Sequence, residues 1–401
     1  MRFRLVVCAV VALVLLLCAT SLAAQFVTTP QELSAAAAGD SVGVPRARSD
    51  SALGAARWAE AADCAILDVL RWPGPGPGRV ALACSRGLRG WELVVLAADG
   101  RVVRTFPFAG AAGQTKLADL DGDGELEVLS LTPAGWPRLQ ALTCRALGGK
   151  LRWRVDLPAE AVGWGVGDIV GDGKREVVVA TWRAVLALSA EGKELWRASP
   201  PANAAQPLSR GERMLGPLAP ARPAVAAMAV VSQAAGKAQI IAAAGEKLWE
   251  LSSDGRWISH SEWASAGEKG QSEEPVTLLA APWGEWGERL FFQRGWVVFE
   301  LGPNGLRPFL RLLDEVAWPR PIAVGDFDGE GQPELVCHAG PGSTQRGRRL
   351  LVFGATGARW SFQTKAARVF ALALDLDGRP PEELIVATSN GVVYCFPAEQ
   401  K

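Results

Sequence analysis

The sequence predicts an all-β fold, a seven-bladed β-propeller closed by an N-terminal strand that completes the last blade. Three observations lead there. A short turn motif recurs at blade-sized intervals, the two ends of the chain carry complementary half-blades, and no helical periodicity is sustained across the repeats.

The repeated unit is an alternating apolar strand, an X-Gly turn and a second strand that often bears Trp. It reads V-V-L-A-A-D-G-R-V-V around Gly100, A-L-G-G-K-L-R-W at Gly149, A-L-S-A-E-G-K-E-L-W at Gly192 and E-L-S-S-D-G-R-W at Gly255. Further copies are F-E-L-G-P-N-G-L-R-P-F at Gly305 and V-F-G-A-T-G-A-R-W at Gly357. Tight hairpins need central residues at positive φ, which Asp-Gly, Asn-Gly and Gly-Gly supply. A spacing of roughly fifty residues is the length of a four-stranded blade.

The ends complete the count. Residues Gly391 to Phe396 form a third strand with no fourth after it, whereas L-G-A-A-R-W, around Gly54 and Trp58, looks like a fourth strand with no third before it. Pairing the two closes a ring and removes two sheet edges that would invite aggregation. With Gly54 there are seven turn motifs. The expected organisation is a signal peptide over 1–24, a polar tail over 25–52 with one helical turn near Glu32 to Ala38, and the propeller over 53–398.

The leader expectation rests on Arg2 and Arg4 ahead of an apolar run from Leu5 to Ala19, with small residues at Ser21 and Ala23. It implies a secreted, periplasmic or cell-envelope protein with no stable membrane span once the leader is removed; an uncleaved anchor is the alternative. Lys plus Arg and Asp plus Glu number 42 each, with no block of like charge, which argues against a nucleic-acid partner. Five cysteines follow the leader, an odd number without a C-x-x-C pair, so neither a zinc site nor a disulfide framework is indicated. Cys64 and Cys84 flank a Pro-Gly loop symmetrically; a bridge across a hairpin and a pair of buried thiols are both open.

Four acidic loops share one frame between strands one and two: D-L-D-G-D-G-E-L-E (Asp119 to Glu127), D-I-V-G-D-G-K-R-E (Asp168 to Glu176), D-F-D-G-E-G-Q-P-E (Asp326 to Glu334) and D-L-D-G-R-P-P-E-E (Asp375 to Glu383). This frame resembles the calcium loop of FG-GAP/VCBS repeat propellers, the class that includes integrin α-subunit propellers. The resemblance implies structural Ca2+, a hard cation that takes several oxygen ligands. Carboxylates at positions one, three and five of so tight a loop are expected to converge, with a carbonyl at seven and a carboxylate at nine. The full sets are Asp119, Asp121, Asp123, Glu125 and Glu127, and Asp326, Asp328, Glu330 and Glu334. The weaker sets are Asp168, Asp172 and Glu176, which lose position three to Val170, and Asp375, Asp377 and Glu383, where Arg379 takes position five. The competing reading is that the Asp and Gly residues only form turns.

No catalytic frame is legible, and His260 and His338 are expected in loops. The turns G-K-L-R-W and G-K-E-L-W also resemble blade motifs of pyrroloquinoline-quinone propellers. Those proteins typically have eight blades and many carry adjacent cysteines, so the likeness is read as shared blade packing. A ligand face is expected opposite the acidic loops, from Arg86, Arg89, Trp91, Trp136, Trp182, Arg183, Arg294, Trp296 and Arg346, since Arg and Trp dominate protein-binding hot spots. The competing reading is that Trp at the start of strand three packs between blades. The expected function is an exported binding, adhesion or envelope-assembly module for a protein or carbohydrate ligand, with an envelope enzyme (a polysaccharide lyase or quinoprotein) as the alternative.

Overall fold

The computed structural model describes residues 56–397, apart from 63, 74–77, 133–139, 202–224, 233–236, 245–246, 263–275, 283–287, 295–296, 303–304, 312–316, 341–347, 355–356, 365 and 367. The leader and the polar tail therefore lie outside the described residues.

Among the described residues twenty-eight strands form seven antiparallel four-stranded sheets. Blade one runs Ala65–Trp72, Arg79–Ser85, Trp91–Leu96 and Val102–Phe108. Blade two runs Thr115–Ala118, Glu127–Leu131, Ala141–Ala146 and Leu151–Asp156. Blade three runs Ala161–Gly167, Glu176–Thr181, Val185–Leu188 and Glu194–Ala198. Blade four runs Val225–Ser232, Ala238–Ala244, Lys247–Leu251 and Trp257–Glu262. Blade five runs Val276–Pro282, Glu288–Arg294, Val297–Gly302 and Gly305–Arg311, and blade six Ala317–Gly325, Glu334–Gly340, Arg348–Gly354 and Gly357–Thr364.

Blade seven is composite. Val369–Leu374, Glu383–Thr388 and Val392–Phe396 come from the end of the chain, and Trp58–Ala61 adds the fourth strand. The register runs from Trp58 opposite Cys395 to Ala61 opposite Val392. Backbone bonds from Arg57 N–H to the Cys395 carbonyl (2.7 Å) and from Ala62 N–H to the Gly391 carbonyl (2.6 Å) flank it. The ring closes as the sequence predicts.

Burial explains the strand compositions. Second and third strands are covered on both faces by neighbouring blades, so they read as continuous apolar runs, with Glu176–Thr181 and Glu383–Thr388 buried throughout. Fourth strands face solvent and alternate, as Leu151–Asp156 does. The core lies between blades: one cluster joins blades two, three and four, others blades six to seven and seven to one. First strands approach closely where side chains are absent. A Cβ on Gly165 would stand 2.6 Å from the Val230 side chain of the next blade.

The hairpin glycines behave as their motifs require: Gly100, Gly149, Gly192 and Gly255 all have φ between +77° and +87°. Gly54 lies outside the described residues. The cysteine pair resolves towards thiols. Cys64 and Cys84 are both reduced, as are Cys144, Cys337 and Cys395. Because Ala65 faces Ser85 and Ile66 faces Cys84, Cys64 is diagonal to Cys84 rather than opposite it. A hydrogen bond to Cys64 and burial both push the Cys84 thiol well up. Two expectations are corrected. His260 and His338 lie inside strands, in Trp257–Glu262 and Glu334–Gly340: His338 pairs with Arg320, and His260 stands at a register shift between pairs on either side of it. Among the described residues no helix is long and apolar enough to cross a membrane.

Candidate functional site

In an antiparallel blade the loops between strands one and two emerge at one face, together with the turns between strands three and four. All four acidic loops therefore share a face, and the same hydrogen bonds shape each of them. The carboxylate at position nine reaches back to the N–H at position two: Glu127 to Leu120 (2.8 Å), Glu176 to Ile169 (2.9 Å), Glu334 to Phe327 (2.8 Å) and Glu383 to Leu376 (2.8 Å). The aspartate at position one accepts N–H groups further along the turn. Asp119 takes Gly122 (2.8 Å) and Gly124 (3.0 Å), Asp168 takes Gly171 (2.5 Å) and Gly173 (2.9 Å), Asp326 takes Gly331 (3.1 Å), and Asp375 takes Gly378 (2.7 Å). The turn-forming reading thus holds at positions one and nine in every loop.

The loops also stitch neighbouring blades together. Arg175 N–H donates to the Leu120 carbonyl (2.9 Å), Ala238 N–H to Asp168 (2.7 Å) and Glu382 N–H to Asp326 (3.0 Å).

Two loops bring three carboxylates within mutual reach: Asp119, Asp121 and Glu127 in blade two, and Asp326, Asp328 and Glu334 in blade six. The convergent positions are one, three and nine. The expected convergence of position five is corrected: the Asp123 carboxylate turns back onto the N–H of Glu125 (2.7 Å), and Glu330 stands outside the blade-six group. Neither of the other two loops forms such a group among the described residues.

The two carboxylate groups differ in surroundings. In blade six Asp328 and Glu334 are buried, and the buried Oδ1 of Asp326 has no hydrogen-bond partner among the described residues. Burial raises the Glu334 carboxyl to about 7, with the charges of Asp326 and Glu330 adding to it. Converging, desolvated oxygens with one left unsatisfied suit a hard divalent cation. In blade two Arg152, from the fourth strand, enters the loop. Its guanidinium lies 2.9 Å from Asp121, 2.8 Å from Glu127 and 3.9 Å from Asp123. Burial opposes ionisation of Asp121, yet the Asp123 N–H and Arg152 hold its carboxyl below the usual range. Arg57 likewise reaches into the loop of blade seven, 3.5 Å from both Asp377 and Glu383.

On the opposite face, turns between strands two and three carry part of the expected ligand set. Arg183 is exposed and lies over the Trp182 ring at 4.3 Å. Arg86 and Arg89 are exposed, Arg86 pairing with Glu92 at 2.5 Å. Trp91 is a correction. It is 3% exposed and stacks on Phe108 at 4.4 Å, because the start of strand three faces the outer strand of its own blade. Trp136, Trp296 and Arg346 lie outside the described residues, as does the side chain of Arg294.

Sequence reasoning missed several groups. Arg320 and Arg368 are exposed near the starts of the innermost strands of blades six and seven, on the same face as Arg183. Asp68, in blade one's first strand, accepts the N–H of Thr115 in blade two (2.9 Å) and of Val69 (3.0 Å). Its carboxyl is pushed up to about 6 by burial, against the pull of the Thr115 N–H and the Lys116 charge. An isolated Asp in an apolar strand gives no motif by which to find it.

These features define a seven-bladed β-propeller with an acidic-loop face and an arginine-bearing face. A model of the family described as outer membrane protein assembly factor BamB matches residues 140–269, about a third of the chain. By structure the chain is similar to BBS1N in complex with ARL6DN, at 14% identity and a TM-score of 0.54 over 88% of this chain and 98% of that one. It is also similar to a streptogramin B lyase (10% identity, TM-score 0.53, 85% and 98% covered) and to a catalytically inactive virginiamycin B lyase from Staphylococcus aureus with quinupristin (9%, 0.53, 85% and 99%). At these identities the likeness shows the fold. No curated protein matches the sequence.

Proposed function

We propose that this chain is an exported binding module of the cell envelope that takes part in assembling surface or outer-membrane proteins. Its protein partner docks on the face opposite the acidic loops. The observation that carries this reading is the exposed Arg183 stacked on the half-buried Trp182, a pair within the stretch similar to the assembly factor BamB. A guanidinium stacked on an indole offers a flat, preorganised contact for a carboxylate-bearing partner surface. Arg89, Arg320 and Arg368, exposed on the same face, add positive charge that favours an acidic partner.

The acidic face is structural in this account. The loops are of the FG-GAP/VCBS type, and calcium in blade six, held by Asp326, Asp328 and Glu334, stiffens the join between blades six and seven. The leader around Leu5 to Ala19 carries the export.

Site-specific photo-crosslinking in intact cells tests the proposal. A photoreactive residue at Arg183 is compared with one at Lys174, in the blade-three loop of the other face. The expected result is a discrete adduct with one envelope protein from position 183 and none from 174, lost when Arg320 and Arg368 are both changed to Glu. Equal labelling from both faces, or an adduct indifferent to those charge reversals, contradicts it.

A further inference from the structure

Arg152, Arg57 and Arg359 hold one place in the repeat: each immediately precedes the tryptophan of a fourth strand, Trp153, Trp58 and Trp360. Each of those blades has Asp at position three of its loop: Asp121, Asp377 and Asp328. Where that position is Asp121 or Asp377, Arg152 or Arg57 reaches into the loop and also meets the glutamate at position nine. Blade four has Q-A-A-G-K (Gln233 to Lys237) between its first two strands, with no carboxylate, and it has the exposed Ile258 at that place; Arg256, next to the hairpin glycine, matches Lys150 and Lys193 instead. Blade three is the informative exception. It keeps the acids at positions one, five and nine but has Val170 at three, and its fourth strand has Leu195 where blades two, six and seven have arginine. Both are 46% exposed, an apolar pair standing where blade two has an ion pair. The two positions change together within one chain.

The other loop carboxylates have separate work to do. Positions one and nine accept loop N–H groups in every blade, including blade three. Asp121 has only a 3.4 Å bond from the Asp123 N–H within the loop, and its shorter contact is with Arg152. In blade two turn formation therefore accounts poorly for the acid at position three, and the arginine accounts for it. Asp328 and Asp377 accept the N–H at position five of their loops more closely (2.9 Å from Glu330 and 3.1 Å from Arg379). In blade two the pairing also neutralises Glu127, which is 0% exposed and whose Oε1 makes no well-aligned hydrogen bond. A buried carboxylate needs such a partner.

We infer that the arginine ahead of the strand-four tryptophan is the resident counter-cation of its blade's acidic loop, clamping the outer strand to the loop, and that calcium enters the blade-two loop only by expelling Arg152. The second half of that statement rests on reading the loops as cation sites; the clamp itself does not.

Full-length wild type, Arg152→Leu, Asp121→Val and the double variant, which carries blade three's pair into blade two, are unfolded thermally in chelator. Each single change is expected to lower Tm by roughly 2 to 4 °C, and the double variant to lose less than the sum of the two, because the Asp121–Arg152 pair is then lost once rather than twice. Strictly additive losses overturn the clamp. If Arg152→Leu does not fold, a double variant that folds supports the clamp and one that does not overturns it. Calcium titration calorimetry then separates the two readings. Binding to the blade-two loop at least about tenfold tighter in Arg152→Leu than in wild type, the size expected when about 1.4 kcal/mol of ion pairing no longer competes, supports the competition. The same affinity and stoichiometry in both proteins overturns it and leaves calcium binding intact. Non-additive losses with no calcium binding in any variant leave the clamp standing and remove calcium from the account.

Discussion

The indole of Trp153 lies flat against Gly192 of the next blade, so close that a Cβ on that glycine would stand 2.6 Å from the ring. Its N–H donates to the Ala190 carbonyl at 2.7 Å. Trp58 over Gly100, bonded to Ala98 (2.9 Å), and Trp196 over Gly255, bonded to Ser253 (2.6 Å), repeat the arrangement. The strand-four tryptophan is thus a fastener between consecutive blades, and the X-Gly turn is the surface it needs.

Gly192→Ala should then be costly on two counts. The residue sits at φ +77°, and the added methyl meets the ring. A destabilisation of about 2–3 kcal/mol is expected from strain plus displacement of the indole. Gly173→Ala, at φ +87° with nothing within 4 Å, carries the strain alone and should lose about 1–2 kcal/mol. Denaturant unfolding of the two variants measures the difference; equal losses would mean that the ring makes no demand on the glycine.

The hydrogen bond can be isolated in the same way. Trp153→Phe removes the donor and leaves the Ala190 carbonyl unpaired, which should destabilise by about 1 kcal/mol beyond the loss of ring area. Trp360 is the internal control. Its Nε1 is buried without a hydrogen-bond partner among the described residues, because the blade that follows is closed by Trp58–Ala61 and has no turn between its third and fourth strands. Trp360→Phe should lose less than Trp153→Phe in parallel thermal melts.

Asp68 makes stability depend on pH. Its carboxyl titrates at about 6 in the folded chain against an ordinary 3.8, so the folded state holds the proton more tightly than the unfolded one between those values. That contribution favours the fold at low pH and is lost as pH rises from about 4 through 6. Asp68→Asn should flatten the wild-type decline in Tm over that window; an unchanged pH profile would show that Asp68 does not titrate there.

Much of this was legible in the chain. X-Gly turns announce themselves because Gly100, Gly149, Gly192 and Gly255 must take positive φ, and the half-blades at Trp58 and Gly391 to Phe396 had no partner but each other. The acidic frame located the loops and the residues at positions one, three and nine. Position five misled, since spacing says which acids are near one another but not that Asp123 turns onto its own Glu125 N–H. Trp91 misled in the same way: composition cannot tell an exposed anchor from an indole stacked on Phe108. Arg152 was visible in the R-W motif, but its role needed the three-dimensional fact that strand four begins beside the loop joining strands one and two. The blade-packing likeness of G-K-L-R-W and G-K-E-L-W falls within residues 140–269, the stretch similar to BamB, a likeness that the FG-GAP frame had overshadowed.

The account depends most on the acidic face being a cation-dependent brace. Thermal unfolding of the full chain in chelator, then with calcium added to a hundredfold excess over its Kd, tests this in wild type and Asp328→Asn. Saturation at that level stabilises by about 2.7 kcal/mol, and a rise in Tm of roughly 5 °C is expected in wild type, with little or none in Asp328→Asn. A wild-type Tm indifferent to calcium would contradict the account.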